Sequence, residues 1–186
     1  MPLILASSSP RRQQLLRAAE ISFAVQSANI PEDIRPGESP QAFCERLAFD
    51  KAEAVRKASP DSLVLGADTI VVVDEHVLGK PMDPADARRM LRLISGRAHQ
   101  VMTGVCLLGT DFRDVRTEIT DVFVTSIPDR EIDSYVTHKE PMDKAGAYAI
   151  QGIASRWIPR IDGCYFNVVG LPVPLVYRML RDHGVV

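Results

Sequence analysis

Cysteine is scarce and poorly placed for joint chemistry. Cys44, Cys106 and Cys164 are far apart, odd in number, and lack the paired spacing of a zinc site or a redox couple. Three buried thiols are the simpler reading. The four histidines, His76, His99, His138 and His183, are equally scattered, so no His-based metal site and no Cys–His nucleophile is signalled. Charge of one sign is also lacking. A formal net charge of −2 provides no broad attraction to nucleic acid or anionic membrane, and any affinity for phosphate must come from a local cluster. Long apolar runs are missing too. Leu3 to Ala6 is too short for a membrane span and lacks the basic prefix of a signal peptide, which makes the cytoplasm the expected compartment. Neither GxxxxGK[ST] nor GxGxxG occurs, which excludes a recognisable P-loop or Rossmann dinucleotide site.

What remains is an ordinary globular composition in 186 residues, enough for one core, with no linker, repeat or low-complexity segment; a single domain over 1–186 is expected. Leu3 to Ala6 reads as a short buried strand that feeds a helix starting at Pro10, with Ser9 as N-cap. A second strand is expected within Phe23 to Ile30, before the polar loop "IPEDIRPGESP". Ser39-Pro40 repeats the capping signal, and Gln41 to Lys57 continues as a helix with Cys44, Ala48, Ala52 and Val55 on one side. Leu63 to Leu65 and Ile70 to Val73 are β-rich runs around Gly66-Ala67-Asp68-Thr69. Asp83 caps a helix that begins at Pro84 and stops near Gly96. His99 to Leu108 and Thr117 to Thr125 predict an antiparallel pair, followed by a short helix after Pro128. "EPMDKAGAYAIQG" predicts a packed loop or short helix, Trp157 to Ile161 a strand, and Pro172 to Gly184 a last helix. Alternating strands and helices predict a layered α/β fold with a mixed sheet.

The first helix carries a contradiction. In "LILASSSPRRQQLLRAA", Arg11 and Arg12 stand at a helix N-terminus, where partial positive charge already accumulates. An anion would resolve the conflict. Helix N–H groups, arginine forks and the hydroxyls of Ser7, Ser8 and Ser9 together form a phosphate clamp. Lys51, beside the apolar stripe of the second long helix, and Lys80, in "GKP" after a hairpin, extend the basic theme. The alternative for each basic residue is a solvated surface. Asp68 is the sharpest single residue, because a carboxylate between apolar runs must be hydrogen-bonded, solvated or cation-bound. It suits a Mg²⁺ ligand or a proton acceptor for an attacking water, with a turn-forming aspartate as the simpler alternative. Glu32 and Asp33 add weaker metal-ligand candidates. Residue chemistry alone stops at a phosphorylated small molecule, handled with a divalent metal.

Six stretches, "LILASSSPRRQQLL", "LAFDKAEAV", "VLGADTIVV", "LGKPMDPADARRMLRLISGRAHQVMTGV", "DKAGAYAIQG" and "NVVGLP", taken together and in order, resemble the Maf family of nucleoside triphosphate pyrophosphatases over almost the whole chain. The resemblance implies a mixed twisted α/β sheet with flanking helices, two lobes around a deep cleft, and kinship with inosine triphosphate pyrophosphatases. It implies hydrolysis between the α and β phosphates with a divalent metal, Mg²⁺ or Mn²⁺. By the same resemblance Asp68 is the proton acceptor, Ser7, Arg12, Lys51 and Lys80 bind phosphate, and Glu32 joins Asp68 in holding the metal. Arg11, Thr69 and Gln151 resemble the dTTP/UTP branch, with modified pyrimidine nucleotides as a further substrate class. The branch acting on 7-methyl-GTP has Trp in place of Arg11 and Glu in place of Gln151. A nucleotide substrate, a homodimer, and neither nucleic acid nor membrane are the expected partners. A 7-methyl-GTP pyrophosphatase and a nonenzymatic nucleotide-sensing regulator of cell division stay open as alternatives. Ala149 departs from the glycine common at that place, which is costly only if the backbone there needs a positive φ.

Overall fold

The computed structural model describes residues 2–27 and 29–186. The strands are β1 (Leu3–Leu5), β2 (Ala24–Val25), β3 (Leu63–Val73), β4 (His76–Leu78), β5 (Ala98–Leu108), β6 (Arg113–Phe123) and β7 (Arg160–Asp162). They form one mixed seven-stranded sheet in the order β2-β1-β3-β5-β6-β7, with β4 paired to β3. β1 runs parallel to β2 and β3, while β4 is antiparallel to β3 and β7 to β6. The flanking helices are α1 (Pro10–Ala18), α2 (Pro40–Ala58), α3 (Pro84–Ile94), α4 (Asp129–Val136), α5 (Tyr165–Val169) and α6 (Val173–Asp182). No helix among the described residues is long and apolar enough to cross a membrane.

The capping chemistry read from sequence is present. Ser9 Oγ accepts from the Arg12 N–H at 3.5 Å, Ser39 Oγ from Ala42 at 3.2 Å, and Asp83 Oδ1 from Asp86 at 2.8 Å, each before a proline in the first turn. Several boundaries differ from expectation. The stretch Leu63–Val73 is one unbroken strand, so Asp68 is a mid-strand residue and not part of a turn. Both small residues are buried within it, Gly66 directly against α2 and Ala67 in the opposite layer. The second strand shrinks to Ala24–Val25; of the wider span expected for it, residue 28 lies outside the described residues. Trp157 closes a 3₁₀ turn, Ile153–Trp157, and the paired strand is only Arg160–Asp162. The helix Tyr165–Val169 had no sequence signal.

The chain divides into two compact units. Unit 1 comprises residues 1–69, 103–118 and 170–186, and unit 2 comprises 70–102 and 119–169. In unit 1 the strand alternation separates two apolar layers. Leu3, Leu5, Leu63, Leu65 and Ala67 point toward Leu16 of α1 and Val176, Met179 and Leu180 of α6. Ile4, Ala6 and Val64 point the other way, toward Ala48, Ala52 and Val55 of α2. A Cβ on Gly66 would strike the Ala48 carbonyl, and one on Gly104 the Cys44 carbonyl. Glycine at both places lets α2 lie against the sheet at backbone distance. Unit 2 has its own core, in which Val71, Met90, Leu91, Ile94, Val122, Ile132 and Trp157 are buried. In it a neutral His99, its pKa pulled down to about 4 by burial, meets the Tyr148 hydroxyl at 2.7 Å.

Candidate active site

β3 builds the site in unit 1 by presenting neighbouring residues on opposite faces. Asp68 shares the face of Gly66 and therefore meets α2, where Lys51 stands one turn beyond Leu47. Lys51 Nζ lies 2.5 Å from Asp68 Oδ1 and 2.7 Å from Glu32 Oε1. The Asp68 side chain is only 11% exposed, against 55% for Glu32, so the ammonium joins a desolvated carboxylate to a solvated one. Burial raises the Asp68 pKa above the ordinary carboxylate value, and Lys51 and Arg12 oppose that rise. A carboxyl group whose proton affinity is raised by burial, beside a cation that favours its charged form, is suited to accept a proton.

The loop that carries Glu32 is stapled to α2 by Arg46. Its guanidinium donates to both Glu38 oxygens at 2.6 and 2.8 Å, to the Asp33 carbonyl at 2.9 Å and to Asp50 at 3.3 Å. The Arg46 hydrogen bonds hold the Glu38 carboxyl down at about 2. Nothing in the sequence flagged Arg46, since an arginine on a helix surface has no pattern of its own.

On the other face of β3, Thr69 meets Arg12. The Arg12 guanidinium folds back from α1: Nε donates to Gly170 O at 2.8 Å, Nη1 to Ala67 O at 2.8 Å and Ser7 Oγ at 3.2 Å, and Nη2 to Thr69 Oγ1 at 3.1 Å. All four acceptors are neutral. The side chain keeps some exposure, yet desolvation is the largest influence on it and lowers its pKa, with Asp68 pulling the other way. Arg12 is thus held in place without its charge being cancelled by contact. Gly170 supplies its carbonyl from a backbone φ of +129°, a conformation that favours glycine.

The hydroxyls are committed in detail. Ser7, 8% exposed, accepts from the Ser9 N–H at 3.2 Å and from Arg12, which fills both lone pairs and leaves its proton to donate. That leaves the hydroxyl able to donate to an anion. Thr69 Oγ1 accepts from Arg12, lies 2.9 Å from Thr103 Oγ1 and donates to Gly170 O at 3.1 Å. One proton and two lone pairs are then in use, so the Thr69 hydroxyl is committed to holding Arg12, Thr103 and Gly170. Thr103 was missed in the sequence because one buried hydroxyl in a β-rich run has no signature.

Arg11, in the first turn of α1 beside Arg12, adds to the positive potential around it. Lys80 and Gln151 belong to unit 2, and both are exposed. The loop carrying Lys80 is tied to "AGAY" by a hydrogen bond from Gly146 N–H to Gly79 O at 3.1 Å. Gln151 sits in the turn closed by Gly152 N–H donating to Ala149 O at 3.0 Å. Ala149 is not among the positive-φ residues, so alanine there is unstrained; the left-handed alanine is Ala147, φ 60°. Among the described residues no group of three or more His, Cys, Asp and Glu converges as a metal centre. Glu32 and Asp68 carry the hard oxygen donors that Mg²⁺ takes beside phosphates and water, and both present them to the Lys51 ammonium, with which an ion would share them.

Comparison with known proteins places this geometry in context. Residues 2–183 match the family described as Maf-like protein. A dTTP/UTP pyrophosphatase of Koribacter versatilis is 57% identical over 185 residues, covering 100% of this chain and 96% of the relative. One of Symbiobacterium thermophilum is 52% identical over 182 residues, covering 98% and 94%. Among solved structures, the Staphylococcus aureus Ham1 protein superposes with a TM-score of 0.58 at 14% identity, covering 98% of this chain and 100% of that one, which shows a shared fold.

Proposed function

The chain belongs to the Maf-like family, and we propose that it hydrolyses dTTP and UTP between the α and β phosphates, giving the nucleoside monophosphate and pyrophosphate. The observation that carries this reading is the Lys51 bridge: a buried aspartate with raised proton affinity, contacted by one ammonium, one residue along the strand from Thr69, which helps fix Arg12 through neutral acceptors. Water adds to the α-phosphorus, its proton passes to Asp68 Oδ2 or Oδ1, and the bond to the bridging oxygen breaks as pyrophosphate leaves. Arg12 and the free Ser7 proton bind phosphoryl oxygen, and their fixed positions require no reorganisation as charge develops there. Lys51 aligns the Asp68 carboxylate and keeps it charged. A divalent ion held by Glu32 and Asp68, Mg²⁺ or Mn²⁺, supplies Lewis-acid stabilisation of phosphoryl charge when bound. The assignments of Lys80 to phosphate, and of Arg11 and Gln151 to base preference, rest on the family resemblance; Thr69 joins them as the residue that orients Arg12.

The test is release of pyrophosphate and monophosphate from dTTP, UTP, CTP, GTP and 7-methyl-GTP, with Mg²⁺, Mn²⁺ or chelator, beside Asp68→Asn. Preferential cleavage of dTTP and UTP, lost in the variant, is the expected result. Preference for 7-methyl-GTP overturns the substrate reading, and binding without cleavage overturns the enzymatic one.

A further inference from the structure

The turn that carries Gln151 is anchored at both ends by one pair of side chains that the proposed reaction does not use. Tyr135, on α4 and 1% exposed, donates its hydroxyl proton to Glu140 Oε1 at 2.7 Å. The same hydroxyl accepts from the Ala149 N–H at 3.3 Å. Glu140 accepts from the Ile153 N–H at 3.1 and 3.3 Å through its two oxygens. The stretch 149–153 is therefore clamped at its first and last residues, and its own bond from Gly152 N–H to Ala149 O closes the ring. Gly152 is required for the carboxylate to come so close, because a Cβ there would collide with both Glu140 oxygens. The Tyr135 ring is itself fixed by edge-on packing against Trp157, with centroids 5.1 Å apart. Gln151 stands between the two anchors, exposed, with no hydrogen bond to its amide among the described residues.

We infer that Glu140 and Tyr135 are positioning residues for base selection: they set the direction in which the turn presents the Gln151 amide, and so the preference for pyrimidine over purine triphosphates. This rests on the proposed reading of Gln151. An amide discriminates bases by matching one donor and one acceptor to the edge in front of it, and a side chain on a free turn would sample many directions and lose that match. Glu140 suits this role because a carboxylate accepts from several N–H and O–H donors at once, and burial against the Tyr135 hydroxyl strengthens each bond.

The experiment measures kcat and KM for dTTP and for GTP in Tyr135→Phe, Glu140→Ala, Glu140→Gln, Gln151→Ala and the double variant Glu140→Ala/Gln151→Ala. Amide hydrogen exchange of residues 149–153 is followed in the same proteins. Glu140→Ala is expected to lower the dTTP/GTP ratio of kcat/KM about tenfold, mostly through KM for dTTP, with faster exchange at Ile153. Tyr135→Phe lowers it less, and Glu140→Gln restores it, because the amide oxygen still accepts. The double variant is expected to match Gln151→Ala alone. A purely structural role would lower melting temperature and both activities together and leave the ratio alone. If Gln151→Ala shifts the ratio and neither Glu140→Ala nor Tyr135→Phe does, the positioning inference is overturned while the role of Gln151 stands. If Gln151→Ala leaves the ratio unchanged, the reading beneath it falls and the inference with it. Unchanged exchange at Ile153 in Glu140→Ala overturns the anchoring by itself.

Discussion

Replacing Thr69 by valine removes one oxygen and keeps the shape, which isolates what the hydroxyl does. Two groups lose a partner. Thr103 Oγ1, fully buried, loses its only hydrogen-bond contact among the described residues, a loss of about 1–3 kcal/mol for an unsatisfied buried group. Arg12 Nη2 loses a charge-assisted bond worth about 1.5–3 kcal/mol when buried, taken at about 1 because the guanidinium keeps some access to water. Gly170 O retains the Arg12 Nε bond and contributes little. Thr69→Val should therefore cost about 2–4 kcal/mol. Thr69→Ser keeps every hydrogen bond and gives up a half-buried methyl, at most about 0.8 kcal/mol. The gap of about 1–4 kcal/mol corresponds to roughly 2–16 °C in melting temperature for a chain of this size. Urea unfolding of the wild type and the two variants, with slopes compared so that only the midpoint moves, measures it. KM for dTTP should rise in the valine variant and stay near wild type in the serine variant. If the two variants lie within about 0.5 kcal/mol of each other, the hydroxyl does not hold Arg12 and the account of this face of β3 is wrong.

Asp68→Asn should abolish activity yet leave the protein at least as stable as wild type near neutral pH. Because burial raises the Asp68 pKa, the native state binds its proton more tightly than the unfolded chain does, and stability falls as pH rises through that raised value. The variant's advantage in melting temperature should thus be present at pH 7.5 and absent at pH 4; the opposite order contradicts the burial argument. Arg46→Met should raise KM and lower kcat without touching Lys51 or Asp68, by freeing the Glu32 loop. The Glu38–Arg46 pairing it removes contributes stability above the ordinary carboxylate range and loses it as pH falls through about 2, so the variant's extra instability should fade toward that limit in acid titrations. Burial pushes the Cys44 and Cys106 thiols up to about 12, and Cys164 is less buried, so a thiol reagent should label one cysteine in the native protein and three after denaturation.

The parts legible in sequence were those written in local chemistry. Ser9-Pro10, Ser39-Pro40 and Asp83-Pro84 announced three helices because capping needs only neighbours in the chain. Asp68 announced itself because a carboxylate inside an apolar run is rare for a physical reason. The electrostatic conflict at Arg11 and Arg12 was equally visible, but its local resolution was not. Backbone carbonyls of Ala67 and Gly170 take up half of the Arg12 hydrogen bonds, and a carbonyl has no identity in a sequence. Gly66 and Ala67 were read as an interruption between two strands; Gly66 is small because α2 rests on its face of the strand, a tertiary fact, while Ala67 faces the opposite layer with α1 and α6. Tyr135 and Glu140 escaped for the same reason, since their partners are main-chain N–H groups of a turn ten or more residues downstream.

The alternation of a pleated strand makes β3 an insulator. A carboxylate and a guanidinium set free on one surface find each other and neutralise, and both then become unavailable to a third party. Here Asp68 and Thr69 are covalent neighbours, but the strand backbone turns one toward α2 and the other toward α1, and the arginine is caught by oxygens that carry no net charge. The two opposite charges feel each other through the field and never close into a pair. A single inserted or deleted residue ahead of Asp68 would turn the strand over and exchange the two faces. The separation of charge that the site keeps in reserve is in this sense stored in the parity of a residue count.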